Sequence, residues 1–233
     1  MACFIVFEGG DGSGKSTQAR SLFRRLRRRG VNVLGTHEPG GTPLGQSLRR
    51  LLKSGEAMTL MSELMLFEAA RAQLVQEVIR PFLEQGGVAI ADRFTSSTIA
   101  YQGYGRGLDR ELIEWLNREA TGGLEPDLTV LLDLPVETAL ARKGVGNGDN
   151  FDDAPVDFHR RIHRGYSALA AADPGGWLVL DGQRPPEELS REVWAKVRTM
   201  NYFYGSTSLA GSSLSLIHIS EPTRPLYISY AVF

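Results

Sequence analysis

The sequence is poor in cysteine, has no long apolar run and carries no surplus of either charge. A single cysteine, Cys3, among 233 residues excludes an intramolecular disulfide and a cysteine-rich zinc site. Its place in an apolar run suits a small core residue. No apolar stretch approaches the roughly 20 residues that span a bilayer, and the N-terminus lacks the basic-then-apolar pattern of a secretory signal. These absences predict a cytoplasmic protein. The 26 basic and 27 acidic side chains leave a net charge of -1, which argues against a general nucleic-acid binder or a membrane-surface protein. The local exception, RRLRRRG at 24–30, reads either as a basic patch or as the exposed face and last turn of a helix, where cations suit the dipole.

What is present is a regular alternation of short apolar runs with longer helical ones. With 42% hydrophobic residues the chain can bury the core of one domain. Strands are expected at 3–8, 31–36, 87–92, 127–134 and 177–182. Helices are expected at 15–29, 62–85, 109–120, 135–143, 156–172 and 186–198, with Pro81 ending or kinking the second of them. That alternation predicts an α/β fold, a five-stranded parallel sheet covered by helices on both faces. GVGNGDNFDDAPVD at 144–157 is glycine-rich and acidic, too polar to bury, and suits a mobile lid. After Met200 the chain becomes serine-rich without helical period, so the domain is expected to span 1–200. The SLIHISEPTRP stretch within 201–233 resembles translated adapter or vector read-through more than evolved protein, and an artefactual end leads over a genuine tail.

Gly9, Gly14, Lys15 and Ser16 fit G-x-x-x-x-G-K-[ST], with Gly10, Asp11, Gly12 and Ser13 inside the loop and Thr17 after it. The glycines allow successive backbone amides to curl inward around phosphate oxygens, a curl that side chains would obstruct. A helix starting at Lys15 adds its positive dipole end. Lys15 would bridge the β and γ phosphates of a nucleoside triphosphate, and the Ser16 hydroxyl would bind Mg²⁺. The motif follows an apolar strand and precedes an amphipathic helix, as a true phosphate loop must. It does not fit G-x-G-x-x-G, which disfavours a dinucleotide site. On its own the loop says only that a nucleoside triphosphate binds.

Three further stretches lie where an open parallel sheet binds ligands, beyond the carboxyl ends of its strands: HEPGGTPLG at 37–45, FEAARAQ at 67–73 and DRFTSSTIAYQGYGRG at 92–107. Together with EGGDGSGKST and a terminal LDG, in this order and spacing, they make residues 3–198 resemble the bacterial thymidylate kinases. The resemblance implies a three-layer α/β/α P-loop kinase fold and transfer of a phosphoryl group from ATP, with Mg²⁺, to dTMP in dTTP biosynthesis. It also implies a homodimer, for which the helix at 62–85 is a candidate face.

The resemblance further implies roles for particular residues. Phe67 would stack on the thymine ring and Arg71 would hydrogen-bond a base carbonyl; otherwise Phe67 is core and Arg71 a surface ion pair. Arg93 would hold the acceptor phosphate and steady the transferring group, and Asp92, ending the VAIAD strand, would hold Mg²⁺ with Ser16. The alternative for these two is a buried strand-end acid with a structural arginine partner. Ser97 and Tyr101 would face base and sugar, Asp11 the acceptor's 3′-hydroxyl, and Glu38 and Arg49 would join the same pocket. Gln183, with Gly182, would line the adenine site or simply turn the chain into the last helix.

In one respect the sequence departs from the family. Members without an arginine in the phosphate loop supply catalytic arginines from the lid, within a stretch resembling D-R-[FI]-E, whereas this chain reads DNFDD, with Asn150 at the arginine position. Either Arg142, Lys143, Arg160, Arg161 or Arg164 substitutes, or transfer is slow. The helix following the lid, with DFHRRIHR, is the preferred source; the alternative is a solvated helix face.

Overall fold

The computed structural model describes residues 2–143, 154–200 and 202. Asn150 and most of the expected lid, 144–153, lie outside the described residues, as does the tail apart from Tyr202.

Five strands, β1 (Cys3–Glu8), β2 (Val33–His37), β3 (Val88–Asp92), β4 (Leu128–Asp133) and β5 (Trp177–Asp181), form one sheet in the order β2-β3-β1-β4-β5. Every neighbouring pair is parallel. Around the sheet lie α1 (Lys15–Arg27), α2 (Pro43–Leu52), α3 (Leu60–Leu74), α4 (Arg80–Glu84), α5 (Thr95–Thr98), α6 (Arg110–Thr121), α7 (Val136–Lys143), α8 (Val156–Ala172) and α9 (Pro186–Val197). This is the expected α/β architecture, with all five strands in their expected places.

The central strand is apolar from Cys3 to Phe7 because both of its faces are covered. Cys3, Ile5 and Phe7 pack with Ala19, Leu22 and Leu26 of α1 and Leu189, Val193 and Val197 of α9. Phe4 and Val6 point the other way, onto Leu74, Val75, Ile79 and Phe94. Tyr202 packs against the first of these clusters and donates its hydroxyl to the Gly86 carbonyl at 3.3 Å.

Pro81 neither ends nor breaks its helix. A helical run continues from Leu60 to Glu84, with a π-helical segment, Val75–Ile79, joining α3 to α4. Proline has no N–H for the carbonyl one turn back and crowds it; the wider segment immediately upstream, where the Arg80 N–H reaches back to the Val75 carbonyl, takes up the misfit.

Two helical elements were not expected from the sequence. In α2 the Thr42 hydroxyl accepts the Gly45 N–H at 2.9 Å and Pro43 occupies the first turn, a cap-then-proline start. The second is α5 with the π-helical segment Ile99–Gly105, whose glycine and β-branched residues disfavour helix. It forms because Ala100 and Tyr101 pack with Phe158, Ile162 and Tyr166 of α8. Among the described residues no helix is long and apolar enough to cross a membrane.

Candidate active site

The phosphate loop curls between β1 and α1. Gly9 has φ 141° and a Cβ there would lie 2.7 Å from the Leu132 carbonyl oxygen; Gly12 has φ 76° and its Cβ would lie 2.5 Å from that of Ala139. The loop is therefore pressed against β4 and α7, and no side chain fits at either position. Gly14, also at positive φ, starts α1. Lys15 folds back over the loop, its Nζ donating to the Gly10 carbonyl at 3.2 Å and lying 3.7 Å from Asp11. Burial lowers its pKa, Arg93 lowers it further, and Asp11 and Asp92 work against both.

Ser16 donates its hydroxyl to Asp92 Oδ2, while Asp92 Oδ1 is buried without a hydrogen-bond partner among the described residues. A hydroxyl and a carboxylate with an unsatisfied oxygen are the hard donors that Mg²⁺ prefers. The pair fits that ion.

Arg93, directly after β3, is a non-glycine residue in the left-handed region, φ 75°, and its N–H bonds the Phe7 carbonyl at 3.0 Å. Its side chain turns onto the phosphate loop. Nη2 meets Asp11 Oδ1 at 2.5 Å and the Tyr101 hydroxyl at 3.0 Å, and Nη1 donates to the Gly9 carbonyl at 3.3 Å. The guanidinium also lies 4.9 Å from the centre of the Tyr101 ring. Burial opposes its charge, but Tyr101, Asp11, Tyr166 and Glu8 together outweigh burial and raise its pKa.

Asp11, Lys15, Ser16, Glu38, Arg49, Phe67, Arg71, Arg93, Ser97 and Tyr101 all line one cleft of about 460 Å³. Phe67 is half-buried on the cleft wall and is not a core residue. Arg71 is only 1% exposed, so it is no surface ion pair. Its Nε reaches Glu38 at 2.9 Å, Nη1 reaches Glu68 at 2.8 Å and Asn117 at 2.6 Å, and Nη2 reaches the Phe94 carbonyl at 3.2 Å and Thr98 at 2.9 Å. All five N–H groups thus have protein acceptors. Burial pushes the Glu38 carboxyl up to about 7 against the pull of Arg71, and its Oε1 has no hydrogen-bond partner among the described residues.

Gln183 stands apart from this cleft. It is exposed in the turn after β5, where Arg142 donates to the neighbouring Gly182 carbonyl at 2.8 Å. Thr17 is exposed one residue beyond the Ser16 pair. The site also contains groups that sequence reasoning missed. Glu8 was legible as a charge ending an apolar strand. Gln102, donating to Glu63 at 2.9 Å, and Tyr166, on the buried face of α8, gave no such signal.

A glycine-rich phosphate loop leading into a helix, a strand-end Asp-Arg pair beside it and an adjoining aromatic and arginine-lined cleft define a P-loop kinase that brings two substrates together. The family model described as thymidylate kinase matches residues 7–193. The thymidylate kinase of Thermomicrobium roseum is 49% identical over 199 residues, covering 84% of this chain and 95% of that protein. That of Synechococcus sp. strain JA-3-3Ab is 49% identical over 195 residues, with the same shares covered. The crystal structure of thymidylate kinase from Ehrlichia chaffeensis superposes with a TM-score of 0.71 at 35% identity, covering 85% of this chain and 99% of that one. The chain belongs to the thymidylate kinase family.

Arg71→Leu would leave Glu38 and Glu68 buried without their counter-ion, and such a loss costs about 3–5 kcal/mol. Urea denaturation should show a loss of that size, and a larger one than for Glu68→Gln.

Proposed function

We propose that this chain transfers the γ-phosphoryl group of ATP directly to dTMP, in the cytoplasmic supply of dTTP. The observation that carries this reading is that a single cleft is lined by the phosphate loop at one end and by Phe67, Arg71 and Tyr101 at the other, bridged by the Arg93–Asp11 pair. Two anionic substrates must meet in line, and the charge on the transferring group must be neutralised. Lys15 would leave the Gly10 carbonyl for the β and γ phosphates. Arg93 would exchange Asp11 for oxygens of the acceptor phosphate and the transferring group. Asp11, so released, would accept from the 3′-hydroxyl of the sugar. Ser16 and Asp92 would hold Mg²⁺, which supplies positive charge at the donor phosphates. No covalent intermediate is needed.

In the acceptor half, Phe67 would stack on the base while Ser97 and Tyr101 face base and sugar, with Glu38 and Arg49 on the same wall. The Arg71 guanidinium could meet a base carbonyl only by giving up one of its five present partners, so its main effect would be to fix Glu38 and the wall around the base. For the donor base, Gln183 and Gly182 lie on the β5 turn that Arg142 braces.

Of the cations considered in place of a lid arginine, Arg142 is engaged at Gly182, Arg160 pairs with Glu137 at 2.8 Å and Asp157 at 3.1 Å, and Arg161 is bidentate on the Gly105 carbonyl. The Lys143 side chain lies outside the described residues. Arg164 is exposed on α8 and has no hydrogen bond or ion pair among the described residues. Of the candidates whose side chains are described it is the one without a present partner to give up, and we propose it as the cation that acts on the donor phosphates. For the homodimer we propose the outer face of α3, where Leu60, Met61 and Met65 are exposed, with Leu44 and Leu51 of the adjoining α2 and Trp115 of the adjoining α6.

ADP release measured with ATP and Mg²⁺ across dTMP, dUMP, dCMP, dGMP and thymidine should show dTMP strongly preferred, and in the same assay Asp11→Ala should raise the KM for dTMP more than that for ATP. No preference for dTMP rejects the assignment. An arginine acting on transferring phosphate is worth roughly 10³ to 10⁵ in rate, so even with Lys15 and Arg93 retained Arg164→Ala should lower kcat by at least about tenfold. Unchanged turnover in Arg160→Ala, Arg161→Ala and Arg164→Ala alike removes α8 as the source. Met65→Lys should sediment as a monomer where the parent protein sediments as a dimer; a monomeric parent would refute the dimer.

A further inference from the structure

Glu8 ends β1 immediately before the phosphate loop, is fully buried, and is used by none of the roles above. Its Oε1 accepts the backbone N–H groups of Phe94 at 2.9 Å and Ser97 at 3.2 Å. Its Oε2 accepts the hydroxyls of Ser97 at 2.6 Å and Tyr166 at 2.9 Å. Those two hydroxyl oxygens in turn share the two hydrogens of Arg93 Nη1, at 3.1 Å and 3.3 Å, with the Gly9 carbonyl at 3.3 Å.

A hydroxyl has one hydrogen to donate. The two hydroxyl oxygens also lie 2.9 Å apart, so one can donate to the other while the other donates to Glu8 Oε2; whether both hydrogens or one go to the carboxylate, Ser97 and Tyr166 present lone pairs to Arg93. The carboxylate thereby orients two acceptors on the Nη1 edge of the guanidinium, and through Oε1 it also ties down the two N–H groups that follow the left-handed turn at Arg93. We propose that Glu8 is a positioning residue for Arg93, acting through Ser97 and Tyr166 on the side chain and through Phe94 and Ser97 on the backbone. This rests on the assignment of Arg93 to the transferring group.

A carboxylate is required here for a chemical reason. Glutamine has nearly the same shape, but its amide NH₂ would face either the Phe94 and Ser97 N–H groups, donor against donor, or the two hydroxyls, which would then turn their hydrogens toward Arg93. Keeping the acid is itself costly. Burial pushes the Glu8 carboxyl up, and Arg93 is foremost among the groups pulling it back.

The test is a cycle of Glu8→Gln and Arg93→Ala, each alone and both together, read as kcat and both KM values with ATP and dTMP. Misplacing a catalytic group by about 1 Å can cost a factor on the order of 10² in rate. Glu8→Gln should therefore lose between about tenfold and a hundredfold in kcat with the KM for ATP within about threefold of the parent. Glu8→Asp, which keeps four acceptor lone pairs, should recover part of that loss. On the Arg93→Ala background, Glu8→Gln should change kcat by less than about twofold, a non-additivity expected when one residue acts through another.

Equal losses from Glu8→Gln in the two backgrounds, or a normal kcat in Glu8→Gln, overturn the proposal while leaving the role of Arg93 intact. A normal kcat in Arg93→Ala instead removes the assignment of Arg93 and this proposal with it. Should Glu8→Gln fail to fold, Tyr166→Phe, which deletes one of the two relaying hydroxyls, decides by the same comparison.

Discussion

The turn at Arg93 is the constraint on which the catalytic end of the sheet depends. Strand β3 ends level with Phe7 of β1 and His37 of β2, both in register with Asp92. The next residue must send its side chain back over the phosphate loop while the backbone leaves for α5, and Arg93 does so at φ 75°. A non-glycine residue held there costs on the order of 1–3 kcal/mol and persists only where its surroundings over-determine it. They do here: the Phe7 carbonyl holds the Arg93 N–H, Glu8 holds the two N–H groups that follow, and Asp11 and Tyr101 hold the side chain. The strain sits against the phosphate loop.

The same network ties distant parts of the chain to that turn. Tyr166 of α8 reaches Glu8, and Arg161 of α8 clamps the Gly105 carbonyl at the end of the π-helical segment that carries Tyr101 and Gln102. Arg106 lies over Phe158 of α8 and pairs with Glu63 of α3 at 2.9 Å. The helix that follows the expected lid is thus fastened to the segment that carries Tyr101 and Gln102 on the cleft wall.

How much of this was legible depended on the range of the interactions involved. Strands buried on both faces read directly as apolar runs, and the phosphate loop read directly because its glycines answer local backbone demands at Gly9 and Gly12. The cap at Thr42-Pro43 was equally local and marked α2, although the stretch read as a loop. The helical course of 95–105 was not legible, since its composition opposes helix and only packing against α8, some sixty residues on, overrides it. The family resemblance put Arg71 in the acceptor pocket, where the residues alone read as readily as a surface ion pair. It could not show that Asn117, Thr98 and the Phe94 carbonyl, from three other stretches, join the two carboxylates in surrounding the guanidinium. Tyr166 resembled any core aromatic of an amphipathic helix until the fold brought its hydroxyl to Glu8.

The charges of the cleft divide into fixed and exchangeable ones. Arg71 is held by Glu38 and Glu68, whose side chains are 5% and 7% exposed; separating any of the three would leave a charge buried without compensation. Asp11 is 28% exposed and serves both Lys15 and Arg93, so water can take over its solvation when phosphate oxygens take over its partners. With Asp92 and Glu8 nearby, that carboxylate helps keep two buried cations compensated within reach of each other. On the roles proposed for Lys15 and Arg93, its displacement would release two positive groups for the donor and acceptor phosphates, with little of the reorganisation that charges exposed in bulk water would require. In the proposed mechanism the acid among the glycines of the phosphate loop would act twice, first as the occupant that keeps Lys15 and Arg93 in place and then, once displaced, as a ligand for the second nucleotide's sugar.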